Sequence, residues 1–204
     1  MKIILVHYSA PPVVGGVESV LAHHARLMTK DGHHVRGLVG RGKSWDKDIP
    51  LTVLPQIDSR HSDVLAVKAE LDQGVVSSKF HALVETITPH LFAFLDEADL
   101  VIVHNICSLH KNLALTAALH QFNNEHRRQP RLILWHHDLA WTTPRYQAEL
   151  YDGYPWDLLR TPWHGVRQVV VSEARQHELA NLMNLERDAI QVIPNGVETK
   201  QLFK

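Results

Sequence analysis

Cysteine is all but missing: Cys107 stands alone among 204 residues, so no internal disulfide framework holds the chain, and a reducing, cytoplasmic setting suits it. Charge of one sign is missing too. Lys and Arg number 21 against 22 Asp and Glu, for a net charge of −1 with neutral histidines, so no global field gathers nucleic acid. The one basic cluster, "HRRQPR" at 126–131, is short and reads as cations at a helix end. No apolar run approaches the length of a bilayer span, which leaves only peripheral membrane contact open. The N-terminus runs from Met1-Lys2 into a strand pattern without the apolar core and cleavage site of a signal peptide. Neither HExxH nor CxxC occurs, and no G-x-G-x-x-G follows the first strand, which speaks against a zincin, a zinc ribbon and a dehydrogenase-type dinucleotide site.

What is present is a hydrophobic share of 45% with 21% charged residues, enough to bury a core in one domain spanning 1–204. Short β-rich runs alternate with helical patterns. "KIILVH" (2–7) is continuously apolar, as in a strand buried on both faces. "HVRGLVG" (34–40), "PLTVLP" (50–55), "DLVIVH" (99–104), "RLILWH" (131–136), "QVVVS" (168–172) and "IQVIP" (190–194) supply six more. Between them lie helical stretches: one from the Gly15-Gly16 pair to "KDG" at 30–32, two across 62–97 where Pro89 should kink or divide the second, one at 111–128, and one capped by Ser172. The alternation predicts an α/β doubly wound, mostly parallel Rossmann-like sheet of about seven strands with helices on both faces.

Ligands in such sheets sit beyond the carboxyl ends of the strands, and those ends are polar here. The first strand leads into His7 and then "PPVVGG", where glycines permit something anionic to approach bare backbone. The others end in His104-Asn105, in His136-His137-Asp138, in Ser172-Glu173 and in Asn195-Gly196. The sixteen histidines invite a metal reading, yet the adjacent pairs point in different directions and no metal is expected. The stretch 141–163 holds three of the five tryptophans and three of the four tyrosines. That composition suits stacking on sugar rings and suits a satellite core equally well.

Taken together, "GGVE", "GHHV", "ADLVIVHN", "HHD", "VVVSE" and "VIPNGVE" fall in an order that resembles the N-terminal, acceptor-side half of family-4 retaining glycosyltransferases of GT-B architecture. The resemblance implies transfer of a hexosyl group from a nucleotide-sugar donor, which is substrate rather than cofactor, to an acceptor. It implies that Gly15, Gly16 and Glu18 form a diphosphate-facing loop, with Asn195 and Gly196 at the crossing into a second domain. It places His137, or His136 if the register differs by one, beside the transferred sugar. His104, Asn105, Asp138, Trp141 and Tyr146 become the acceptor-side candidates. The family's donor domain, with its acidic E-x7-E pattern, would lie beyond Lys204. Glu178 and Glu186 have that spacing, but in the acceptor-side half and without the accompanying glycine-rich loop, and read as a solvated helix face. The chain is therefore expected to be inactive alone, its partner domain supplied in cis or in trans. A non-catalytic carbohydrate- or protein-binding module, or one subunit of a two-chain transferase, is the alternative.

Overall fold

In the computed structural model, residues 1–126 and 131–196 are described. Positions 127–130 of the basic cluster and the closing "VETKQLFK" lie outside them. In chain order the elements are β1 (Lys2–Ser9), α1 (Gly16–Lys30), β2 (His34–Arg41), β3 (Leu51–Val53), α2 (Ser62–Leu71), α3 (Ser78–Leu95), β4 (Leu100–His104), α4 (Leu113–Glu125), β5 (Arg131–His136), β6 (Arg167–Val170), α5 (Glu173–Met183) and β7 (Ile190–Val192), with short 3-10 turns between some of them. The strands form one sheet in the order β3-β2-β1-β4-β5-β6-β7, and every pairing is parallel. The winding reverses between β1 and β4, and that junction is the switch point at which such sheets open a crevice.

Side chains alternate along each strand, and the alternation sorts the core into two layers. Ile4 and Val6 of β1, Val101 and Val103 of β4, and Leu132 and Leu134 of β5 face the larger layer, packed with Val64 and Val67 of α2, Phe80, Ile87 and Leu91 of α3, and Leu115 and Phe122 of α4. Ile3, Leu5, Ile102, Trp135 and Val169 face the other way, onto Leu21 and Ala25 of α1. The helix α5 packs Leu179, Ala180 and Met183 against Val170 and Ile190 at the sheet's far edge. Burial of these side chains, each worth about 1.5–3 kcal/mol against exposure, is the main force behind the arrangement.

Two expectations are settled by packing. Pro89 does not divide its helix: α3 runs unbroken through it for 18 residues. Pro89 is exposed, and Phe80, Leu83, Ile87, Leu91 and Leu95 are buried on both sides of it, so tertiary burial outweighs the lost backbone bond. The aromatic stretch 141–163 is mostly satellite core. Trp156 and Trp163 are buried in the larger layer, and Trp141, Tyr146 and Tyr151 pack against it. Trp163 Nε1 donates to the Leu158 carbonyl at 3.1 Å, and the Arg160 guanidinium lies 4.0 Å over the Trp141 ring.

A charged knot fastens this stretch to α2. Lys68 Nζ donates to both oxygens of Asp72 at 2.7 and 2.6 Å and to Glu149 at 2.8 Å, while His110 Nε2 lies 2.5 Å from the same Glu149 oxygen. Hydrogen bonds from Lys68 and His110 hold the Glu149 carboxyl below its ordinary value. Among the described residues, Asp72, His110 and Glu149 are the one trio of metal-capable groups brought together, and the Lys68 ammonium already bridges its two carboxylates.

Because Pro89 is exposed and blocks a backbone bond in an otherwise continuous helix, Pro89→Ala is expected to raise unfolding stability by about 1–2 kcal/mol, less whatever rigidity the proline gave the unfolded chain. Urea melts of the two proteins measure it.

Candidate functional site

The exits of β1, β4 and β5 are neighbours, so the Gly15-Gly16 loop, residues 104–108 and residues 136–138 converge on one stretch of the sheet edge. By parity His7 of β1, His104 of β4 and Trp135 of β5 face the α1 side near these exits. His24 of α1 comes down onto them. Its ring lies 5.2 Å from that of His104 and 4.6 Å from Trp135, and the His137 ring lies 6.0 Å beyond His104. His7 Nδ1–H donates to the His104 carbonyl at 2.7 Å and so ties the two strands across the switch point.

Burial keeps these imidazoles neutral. Desolvation lowers His7 and His24 to about 4 and pushes His104 well below the ordinary value, with the neighbouring imidazoles adding to the effect. His137 is lowered by desolvation, which the Asp138 carboxylate partly offsets. His104 is 0% exposed, and neither of its ring nitrogens has a hydrogen-bond partner among the described residues.

The two adjacent histidines of "HHD" part company. His136, by parity, turns to the other layer, where it is 1% exposed and its Nε2–H donates to Gln168 Oε1 at 2.7 Å; burial lowers it to about 4. His137 stands half-buried on the α1 side. Asn105 is buried, and its carboxamide oxygen accepts from the backbone N–H groups of His137 and Asp138 at 3.0 and 2.9 Å. His104 and Asn105 thus offer almost no surface to an acceptor, whereas His137 and Asp138 do.

The loop after β1 passes through Pro11-Pro12 and reaches Gly15, which occupies the N-cap of α1 in extended backbone without a side-chain cap. Glu18, in the first turn, folds its carboxylate back over Gly15. There it accepts from Ser9 Oγ at 2.6 Å and lies 3.9 Å from His7 Nε2. A Cβ on Gly15 would fall 2.1 Å from a Glu18 oxygen, so a larger residue there would push the Glu18 carboxylate out of this position. A Cβ on Gly16 would meet nothing within 4 Å, so no contact within the described residues requires that glycine. The N–H groups of this first turn gather partial positive charge, the feature that favours anions at helix N-termini.

Asn195 and Gly196 follow β7, four strands from β1, which places them about 19 Å away at 4.8 Å per strand. Tyr146 packs on His110 at 4.9 Å between rings, with Arg145 over its face and bonded to its hydroxyl. Trp141 is held by Arg160. Sequence reasoning missed His24 and Lys111. His24 is legible in retrospect, since it falls three residues after Leu21 on the buried stripe of α1. Lys111, whose charge depresses His7 further, carries no pattern that marks it.

Residues 14–201 match the family described as Glycosyltransferase Family 4, and the chain belongs to that family. It is 29% identical over 210 residues to the mannosylglucosylglycerate synthase of Petrotoga mobilis, an alignment covering 98% of this chain and 46% of that protein. WaaG, a glycosyltransferase involved in lipopolysaccharide biosynthesis, superposes with a TM-score of 0.57 at 16% identity, over 98% of this chain and 46% of its own. The apo form of the lipopolysaccharide outer core galactosyltransferase WaaB does so with 0.57 at 13%, over 97% and 46%. These two likenesses establish the fold, one Rossmann-like half of a GT-B architecture. The chain spans about half the length of the relatives it matches.

In the unfolded chain each of these imidazoles takes a proton near the ordinary 6.5, whereas His7, His24 and His136 do so in the fold only near 4. Between those values the unfolded state binds more protons, so stability is full above about pH 6.5 and falls steadily toward pH 4. Urea melts at several pH values should show that loss, and His136→Gln should flatten part of the slope.

Proposed function

We propose that this chain provides the acceptor-side half of a retaining hexosyltransferase site, with the nucleotide of the donor gripped by a second domain in the same or a separate polypeptide. In the chain itself, the observation that carries the reading is Gly16. It stands exposed at the start of α1, no packing contact calls for a glycine there, and the uncapped N–H groups of the first turn lie next to it. A glycine required by nothing inside the fold fits a ligand that must approach the backbone closely.

Departure of a nucleoside diphosphate leaves negative charge that must be stabilised. Backbone amides at the N-terminus of α1 supply that stabilisation as fixed dipoles, already oriented before the reaction begins. Ser9 and the nearby His7 hold the Glu18 carboxylate over Gly15, which leaves the open Gly16 side of the turn for the diphosphate. The remaining work falls to His137. Neutral and half-buried, it can hold the transferred sugar or the acceptor hydroxyl by a hydrogen bond, and orientation of this kind removes much of the entropic barrier. The acceptor proton passes to the leaving phosphate in this reading, so His137 need not be charged at any stage. Asp138 beside it faces the acceptor. His136, locked onto Gln168, is part of the core. Asn195 and Gly196, remote from the loop, serve the passage toward the second domain. The chain alone binds acceptor weakly and does not turn over, because one wall cannot exclude water from the cleft.

Amide-resolved NMR titration of the chain with UDP, GDP and inorganic pyrophosphate is expected to move the Gly15, Gly16 and Val17 amides first. Absence of any shift there at millimolar ligand would sink the phosphate role and favour a non-catalytic module. Gly16→Val should leave unfolding stability within about 0.5 kcal/mol, since its side chain meets open space, and should weaken pyrophosphate binding about tenfold or more. Transferase assays with a panel of nucleotide sugars should show no turnover by the pure chain.

A further inference from the structure

Asn105 is the first residue beyond β4, and its backbone is left-handed, with φ at +52°. Asparagine is one of the few side chains that adopt this region readily. The residue is 3% exposed, and its hydrogen bonds run to β5 and the turn after it. Its N–H donates to the Trp135 carbonyl at 2.7 Å. Its Oδ1 accepts from two consecutive amides, His137 N–H at 3.0 Å and Asp138 N–H at 2.9 Å. Its Nδ2 donates to Asp138 Oδ2 at 3.3 Å. The other Asp138 oxygen lies 3.8 Å from Arg175 Nη2 in α5. Arg175 is fixed in turn by Glu178 at 2.5 Å, and its own backbone N–H is capped by Ser172 Oγ at 3.2 Å. Glu178 also accepts from Thr142 Oγ1 at 3.0 Å.

A turn leaving a parallel strand has amides that no neighbouring strand can pair, and unpaired buried amides are costly. One carboxamide oxygen satisfies two of them here. The left-handed backbone is what swings that oxygen across from β4 to β5. We propose that Asn105 is the positioning residue of the site: by clamping both amides of the His137–Asp138 turn and orienting the Asp138 carboxylate, it sets where the His137 imidazole stands and which charge it faces. The proposal rests on the reading of His137 as the imidazole beside the transferred sugar, and it gives Asn105 a role through that turn in place of direct contact with acceptor.

The titratable groups around His137 are Asp138 and His136 in its own segment, His104 of β4, His7 of β1 and His24 of α1, with Arg175 of α5 one step away on Asp138. Three variants of the ligand-free chain separate the clamp from general stability. Asn105→Gly keeps the left-handed backbone accessible and removes the carboxamide. Asn105→Asp keeps an acceptor for the two amides, loses the donor and sets a second carboxylate against Asp138. The exchange Asn105→Asp with Asp138→Asn restores donor, acceptors and net charge with the partners reversed.

Histidine ring NMR and amide hydrogen exchange read the outcome. In Asn105→Gly the amides of His137 and Asp138 should exchange about 100-fold faster, and the His137 titration should rise by about half a pH unit or more toward the ordinary value. In Asn105→Asp the amides should stay protected while the titration rises, and the double exchange should bring it back toward the wild-type midpoint. The proposal is overturned if Asn105→Gly lowers melting temperature while the His137 titration stays in place. It is equally overturned if the double exchange behaves as Asn105→Asp does. Neither measurement uses a sugar donor, so a failed transferase assay and a failed clamp are separate results.

Discussion

The hydrogen bond from His7 Nδ1 to the His104 carbonyl joins β1 and β4 where the winding of the sheet reverses, and the rest of the sheet edge is arranged around that junction. It fixes the imidazole of one strand against the backbone of the next. His104 is thereby enclosed between His24, Trp135 and His137, and the turn after β5 is brought beside Asn105. The junction gathers His7, His104 and His24 on the α1 side of the edge. Its cost is a set of imidazoles that burial keeps unprotonated, which the core offsets through the apolar packing of Trp135, Ile102 and Leu21 on the same face.

Neutral imidazoles suit the chemistry assigned to the edge. A cluster of cationic histidines would draw phosphate into the floor of the crevice and away from the mouth of α1. A neutral floor leaves the backbone amides at the start of that helix, together with the Lys111 ammonium near His7, as the local attraction for an anion. The dipole part of that field is directional, its orientation fixed by the fold, and it does not vary with protonation around neutral pH.

Much of this was legible in the residues before any coordinates. Seven strands, their parallel winding and the Ser172 cap follow from apolar runs, alternation and capping chemistry, because those signals are local. Pro89 misled because propensity is local as well, while the burial that carries α3 through it is supplied by α4 and the sheet. The aromatic stretch could be weighed only evenly, since sugar-stacking rings and satellite-core rings have the same composition; the contacts of Trp156 and Trp163 place most of it in the core. Which of His136 and His137 faces the α1 side turns on parity at the last residue of β5, which a one-residue doubt in the strand boundary is enough to hide. The clamp of Asn105 onto residues 137 and 138 spans more than thirty positions, and nothing in a single sequence records a pairing at that distance.

The helix α1 stands in two places at once. Gly16 lies at its mouth and His24 eight residues along, about 12 Å at 1.5 Å per residue, and an α-helix of 15 residues behaves as a stiff rod over that span. Its N-terminal mouth and its imidazole-bearing middle are therefore held at a fixed separation by one element, seated on the sheet through Leu21 and Ala25. The distance from the first-turn amides to the imidazole that covers His104 is thus set by helix geometry and by no loop.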